Sequence, residues 1–359
     1  MHDDAFNKLK MINKKRILIT GGAGYLGNYV AQVLIRYGYA IRTIDIMPNV
    51  RDIATAGIEV YTGDIRDYSV AYQATEGVDY VIHAASEVPY GKREDICSIM
   101  DRGTSNVFTA AEKNKVERVV HISSPAVYGL QMNGAIEENA ELRPQGLHGE
   151  SKLLAERICE KFRKKGMVVS VLRPTPLVGA GRLGIFQIFF DWISEGRKIP
   201  VIGNGRNRLQ LMNTGDLSEA IYCTIKAPAT VANDVFNVGA ERFGMLKDDF
   251  KEFISEVQSR SRLFFFPSLP IKYLLYMLEI TRLSPIYGGV YKIIDKDLTI
   301  SIEKIKKQLG WYPRKSNVES LVEAYTWYQK CKETVQFDYG KSNRTLLKKG
   351  ILKLIKRAF

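Results

Sequence analysis

The sequence predicts an α/β fold: a doubly wound parallel sheet with a smaller C-terminal substrate-binding domain. Three observations carry this expectation. Arg16 to Gly27, RILITGGAGYLG, reads as a short β-branched strand running into a glycine turn and a helix. Strand and helix patterns then alternate at βαβ spacing as far as Leu172. The polar motifs GDIRD, HAAS, SSPAVYG and RPTPLVG each fall at the carboxyl end of an expected strand, where parallel sheets hold their ligands.

In the first unit Ile17, Leu18 and Ile19 form the strand, and Val30, Val33 and Leu34 share one side of a helix over Tyr25 to Arg36. Gly21, Gly24 and Gly27 lie between them with the spacing GxxGxxG, and Tyr25 and Leu26 open the helix. Without side chains such a turn lets backbone approach a pyrophosphate at the positive end of the helix, and the last glycine lets helix and strand pack closely. A tight turn of purely structural purpose is the alternative. A second strand, Ala40 to Ile44, ends at Asp45, near the offset of an acid that binds a ribose diol. Strand, turn, helix, strand and acid agree on a Rossmann-type dinucleotide site. Asp45 repels a 2′-phosphate and favours NAD over NADP, while Arg42 and Arg51 leave an arginine for that phosphate open.

Further strands are expected at Ile58 to Tyr61, Tyr80 to His83, Arg118 to Ser123 and Val168 to Leu172, with helices at Thr104 to Lys113 and Ser151 to Lys164. Leu183 to Ile193, with Phe186, Phe189, Phe190 and Trp192, is an apolar helix expected to pack in the C-terminal domain, and Asp216 is expected to cap the helix it begins. Leu263 to Leu278, bracketed by Arg260, Arg262, Lys272 and Arg282, reads either as a buried helix or as a surface that meets a bilayer. The expected division is a dinucleotide-binding domain over 14–180, completed by parts of 211–240, a substrate domain over 181–332, and a basic tail over 333–359.

Composition describes an ordinary globular protein, with 45% hydrophobic and 25% charged residues in 359. Four separated cysteines without CxxC pairing suit reduced thiols and a cytoplasmic location, and no run has the length of a membrane span. No metal-ligand motif stands out. Of the net charge of +13, Lys341 to Phe359 carries +7 without an acid, while Leu347, Ile351, Leu354, Ile355 and Phe359 recur at helical spacing. A cationic amphipathic helix there suits an anionic lipid surface, at the inner face of the membrane, with docking on the protein or a partner as the alternative. Charge gathered in a tail, without a groove of stacking aromatics, disfavours nucleic acid.

Taken together, GGAGYLG, Asp45, GDIRD, HAAS, SSPAVYG, SKLLAER and LGWYP resemble the extended short-chain dehydrogenase/reductase superfamily, in its NAD-dependent epimerase/dehydratase branch, over about Lys14 to Lys330. The resemblance implies NAD as cofactor, nucleotide sugars as the usual substrates with sterols and lipid-linked sugars in some branches, and a homodimer. It implies that Asp64 and Ile65 flank the adenine and that Ala84, Ala85 and Ser86 line the cofactor phosphates and nicotinamide ribose. It places Ser124 on the reacting oxygen, Lys152 on the nicotinamide ribose, and Arg208, in GNGRNRLQLMNTGDL, on the substrate diphosphate.

Where the family has its tyrosine base this chain has His148, whose imidazole, neutral beside a lysine, can accept a proton. Met100 replaces a family asparagine, Pro176 replaces another, and Pro125 and Ala126 occupy the places of the dehydratase acids. Dehydration is therefore disfavoured. The expected reaction is epimerisation through a keto intermediate, with simple oxidation or reduction of a sugar carbon next. A catalytically silent NAD-binding scaffold is the alternative.

Overall fold

A computed structural model describes residues 14–47, 57–86, 93–130, 134–280 and 291–332. Arg51, Arg282 and the basic tail lie outside them. Strand β1 (Arg16–Thr20) is apolar on both sides because both its faces are covered. Ile17 and Ile19 pack with Val30, Ala31 and Leu34 of helix α1 (Tyr25–Arg36), whereas Leu18 packs on the other face with Val107 and Phe108. The alternation demanded by a strand is thus satisfied by two cores.

Around β1 the chain builds β2 (Ala40–Asp45), β3 (Glu59–Thr62), β4 (Tyr80–His83), β5 (Arg118–Ile122) and β6 (Val169–Pro174). Helices α2 (Tyr68–Thr75), α3 (Arg93–Ser98), α4 (Thr104–Lys113) and α5 (Gly146–Lys164) run between them. A π-helical turn, Ile99–Gly103, joins α3 to α4. After the short β7 (Leu177–Val178), α6 (Ile185–Ser194), β8 (Ile199–Ile202), β9 (Met212–Asn213), α7 (Thr214–Lys226) and α8 (Ala229–Ala232), strand β10 (Val235–Val238) returns to the sheet. The sheet has seven strands in the order β10-β6-β5-β4-β1-β2-β3, every pair parallel. The order turns back on either side of β1 and β4, so a crevice opens at their carboxyl ends.

The remaining chain adds α9 (Leu246–Glu256), β11 (Leu263–Phe266), α10 (Ser268–Ile280), α11 (Glu303–Leu309) and α12 (Asn317–Cys331). A separate core forms here, in which Phe190 and Trp192 of α6 meet Phe250 and Phe253 of α9 and Leu321 and Tyr328 of α12.

Three expectations need correction. Helix α5 begins at Gly146 rather than Ser151, which puts His148 and Lys152 on one helix a turn apart. The cap of α7 is Asn213, whose side chain accepts from the amides of Gly215 (2.8 Å) and Asp216 (3.3 Å). Asp216 itself is buried in the first turn and accepts from the amides of Arg314 and Lys315, both at 3.0 Å, so it ties the LGWYP segment to α7. Leu263 to Leu278 is not one buried helix. Pro267, which cannot donate to either element, separates strand β11 from helix α10, and much of α10 is exposed.

Candidate active site

The glycine turn leaves β1 with Gly21 at φ +73°. A Cβ on Gly21 would stand 2.9 Å from Ala85 Cα, so the turn and the 84–86 segment form two walls that only glycine lets approach. At Gly27 a Cβ would reach within 2.2 Å of the Gly21 carbonyl oxygen, which makes this residue the close contact between helix and turn. Gly24 caps α1 with no side-chain partner, and the first turn carries no acid. The orphan amides at that end therefore face a space suited to an anion.

Asp45 ends β2 and holds the turn: its carboxylate accepts from the amides of Ala23 and Met47, both at 3.0 Å. Arg42 is committed elsewhere. It chelates Glu59 at 2.9 and 3.1 Å and donates to the carbonyls of Ala74 (2.9 Å) and Glu76 (2.6 Å), so it does not serve a 2′-phosphate. Asp64 accepts from the Arg66 amide at 2.8 Å and from its guanidinium, which holds the carboxyl below the usual range. Ile65 is buried against Gly103, where a Cβ would meet its side chain at 2.9 Å, and its carbonyl accepts from Asn106 at 3.1 Å. The Tyr25 phenol bonds Thr214 Oγ1 at 2.7 Å beneath Gly179 and Gly181, while Leu26 packs against the core on the α1 face.

Ser124 begins a 3-10 turn, Pro125–Val127, and its Oγ accepts from the Ala126 amide at 3.2 Å. Helix α5 comes close to this turn through Gly149, where a Cβ would lie 2.4 Å from the Ala126 carbonyl oxygen. That approach sets Lys152 beside the end of β5, with His148 one turn before it on the helix. The buried Lys152 donates to the Ile122 carbonyl at 2.9 Å, two residues before Ser124, which leaves two of its three protons for a ligand. Burial lowers its pKa to about 8, partly countered by Glu156. His148 is half-buried; desolvation and then the Lys152 charge lower its pKa to about 4. The imidazole is neutral at neutral pH.

Several groups were not legible in advance. Glu156, one turn beyond Lys152, takes both Nε (2.9 Å) and Nη2 (2.5 Å) of Arg173 and also accepts from the Ser123 hydroxyl. Arg173 donates to the Tyr128 hydroxyl at 2.6 Å, and Tyr128 donates to Asn237 at 2.8 Å. The residues before and after the Ser124 turn are thereby pinned to α5 and β10. The i, i+4 spacing of 148, 152 and 156 was the available signal. Under the crevice, His83 bonds Thr20 at 2.8 Å and Thr104 at 3.0 Å, and burial lowers its pKa to about 3. Met100, at the asparagine position, is completely buried in the π-helical turn and offers no polar group.

Arg208 belongs to the C-terminal half of the chain. Its guanidinium covers the Phe243 ring at 4.9 Å, its amide donates to Asp297 at 2.8 Å, and it lines a cavity of about 390 Å³ with Gln210, Thr299 and Ser301. Ser124, His148 and Lys152 do not line that cavity.

The turn, the uncapped helix and Asp45 have the shape and donors for a dinucleotide, and the parallel sheet that carries them defines a dinucleotide-binding α/β protein. Comparison with known proteins gives the class its family. The NAD dependent epimerase/dehydratase family matches residues 17–239. Protein y4nG of Sinorhizobium fredii is 31% identical over 345 residues, 95% of this chain and 85% of that protein. An N-acetyl-alpha-D-glucosaminyl-diphospho-ditrans,octacis-undecaprenol 4-epimerase of Escherichia coli O157:H7 is 26% identical, with 90% and 95% covered. In fold, the UDP-glucose 4-epimerase of Thermotoga maritima superposes with a TM-score of 0.74 at 21% identity, over 88% of this chain and 99% of that one. The chain belongs to the NAD dependent epimerase/dehydratase family, and NAD is its cofactor.

Proposed function

We propose that the protein is an epimerase of a nucleotide-activated or lipid-linked sugar acting through a keto intermediate, with net oxidation or reduction of a sugar carbon as the nearest variant. The observation that supports this reading is the buried Lys152 bonded to the Ile122 carbonyl, two residues before Ser124, with His148 one turn earlier on the same helix. NAD, when bound, supplies reversible hydride acceptance. Gly21, Gly24, Tyr25, Leu26 and Gly27 would hold its pyrophosphate through backbone, and Asp45 its adenosine ribose. Asp64 and Ile65 would border the adenine, and Ala84, Ala85 and Ser86 the phosphates and nicotinamide ribose, and the two spare protons of Lys152 would serve that ribose.

On the substrate side the Ser124 hydroxyl holds the sugar oxygen, and the neutral imidazole of His148 takes its proton as a carbinol becomes a carbonyl. The resulting imidazolium returns that proton when the carbinol is re-formed. Lys152 keeps the imidazolium short-lived by charge repulsion. Arg208 offers a fork of donors to a diphosphate. The division into domains over 14–180 and 181–332, and pairing with a second copy, belong to the same proposal. So does a role in polysaccharide assembly at the inner face of a membrane. The relative that acts on an undecaprenol-linked sugar supports the lipid-linked branch, as does the basic composition of 341–359. No helix among the described residues is long and apolar enough to cross a membrane.

A silent NAD-binding scaffold is the second reading, favoured by the buried Met100 and by an imidazole of weakened basicity. The two separate in one experiment. Purified protein charged with NAD is offered UDP-sugars and polyprenyl-diphosphate-linked sugars, and epimer formation is followed by NMR. Cofactor retention with no turnover of any of them would overturn the enzymatic reading.

A further inference from the structure

Helix α10 has its polarity reversed for a soluble protein. Leu269, Tyr273, Tyr276 and Ile280 recur at the helical period on one side and are 81, 67, 48 and 62% exposed, and Leu274 beside them is 52% exposed. Lys272, by contrast, is turned toward the protein. Lys272 pairs with Asp295 and donates to the Lys292 carbonyl at 2.9 Å, and Ser268 also donates to Asp295. Asp295 thus fixes the helix by its polar side and turns an apolar face to the outside.

We propose that this face of α10 is a docking surface for an anionic lipid bilayer. Three features select lipid over a second copy of the chain. At about 1.5 Å per residue, thirteen residues extend for roughly 20 Å, enough to lie in an interface and too little to cross it. Tyr273 and Tyr276 have rings with an apolar body and a polar tip, which settle at headgroup level. The strand that leads into the helix starts beside exposed Lys198, Arg260 and Arg262, none of which makes an ion pair among the described residues, whereas the nearby Arg197 is paired with Glu195. Parallel pairing of Leu263 with Ile199 brings Lys198 and Arg262 side by side, and Lys198 lies over the Phe264 ring. Unpaired positive charge attracts an anionic headgroup and repels a like copy, in a chain of net charge +13. The inference concerns attachment and stands apart from catalysis.

The test uses the full chain carrying Tyr273→Trp and vesicles of phosphatidylcholine, with and without phosphatidylglycerol. Insertion of the face shifts the new indole emission to the blue, and bromine placed on the acyl chains quenches it, with anionic vesicles only. A second variant, Leu269→Glu with Ile280→Glu, keeps its melting temperature because both sites face outward. It is expected to lose at least tenfold in vesicle affinity while turning over a soluble UDP-sugar unchanged. Vesicle binding with no quenching of the indole would assign attachment to another part of the chain and overturn the proposal. So would a shift from dimer to monomer in the Glu variant without loss of vesicle affinity. Loss of turnover alone would instead bear on the catalytic reading.

Discussion

Glu156 and Arg173 form a buried two-point ion pair, 2.9 and 2.5 Å across, that ties the helix carrying His148 and Lys152 to the strand beside Ser124. Both members are nearly inaccessible, so neither can be removed alone without stranding the other. Arg173→Met is expected to destabilise the protein by about 3–5 kcal/mol in urea denaturation. Adding Glu156→Met should recover much of that stability while turnover stays low, because Ser123 and Tyr128 lose their anchors. Equal stability of the single and double variants would mean that the pair does not act as a unit.

Replacement of His148 by Phe should lower kcat by about 10²-fold or more while the affinity for NAD is unchanged. If the histidine is instead a relic of a lost tyrosine, His148→Tyr will raise turnover. Single-turnover kinetics with the two variants decides between these results.

Activity is expected to hold between about pH 4, where His148 takes up its proton, and about pH 8, where Lys152 loses its charge. Stability should follow the histidines in a defined direction. His148 and His83 have folded pKa values lowered to about 4 and about 3 by burial, and buried His121 is lowered likewise, so the unfolded chain binds protons first. Stability is present above the unfolded value near 6.5 and falls as pH drops toward 4. Denaturant midpoints measured across that range should fall monotonically, and His83→Asn should flatten the slope.

Gly27→Ala should abolish NAD binding and destabilise the fold by several kcal/mol, because its Cβ meets backbone, the Gly21 carbonyl oxygen at 2.2 Å and the Gly22 Cα at 2.9 Å. Gly24→Ala, whose Cβ would sit 3.0 Å from the same oxygen, should be milder. Calorimetric titration with NAD ranks the two; the reverse order would contradict the close approach described here.

Asp45→Ala should lower affinity for NAD more than for NADP, with the selectivity ratio falling about tenfold. Arg208→Met should raise KM for a diphosphate-bearing sugar and leave kcat near its original value. A change in kcat alone would remove Arg208 from the substrate site.

The sheet was legible because its strands are buried on both faces, so Ile17 to Ile19 and Arg118 to Ile122 read as apolar runs with punctuation at fixed offsets. The glycine turn and Asp45 were legible for the same local reason: backbone conformation and a strand end are written in adjacent residues. Helix α10 was not, because periodicity marks which residues share a side of a helix but not whether that side meets a core. The start of α5 was missed because Gly146 and Gly149 are weak helix formers, and Gly149 is packed against the Ala126 turn.

From sequence alone come the α/β class and the dinucleotide turn, since each depends on spacing along one strand or one helix, while Ser124, His148 and Lys152 were singled out by resemblance to the family. Tertiary structure alone decided that Asn213 caps where Asp216 clamps, that Arg42 is spent on Glu59, and that Glu156 meets Arg173. Those contacts join residues far apart in the chain, and their partners are chosen by which elements the sheet order brings together.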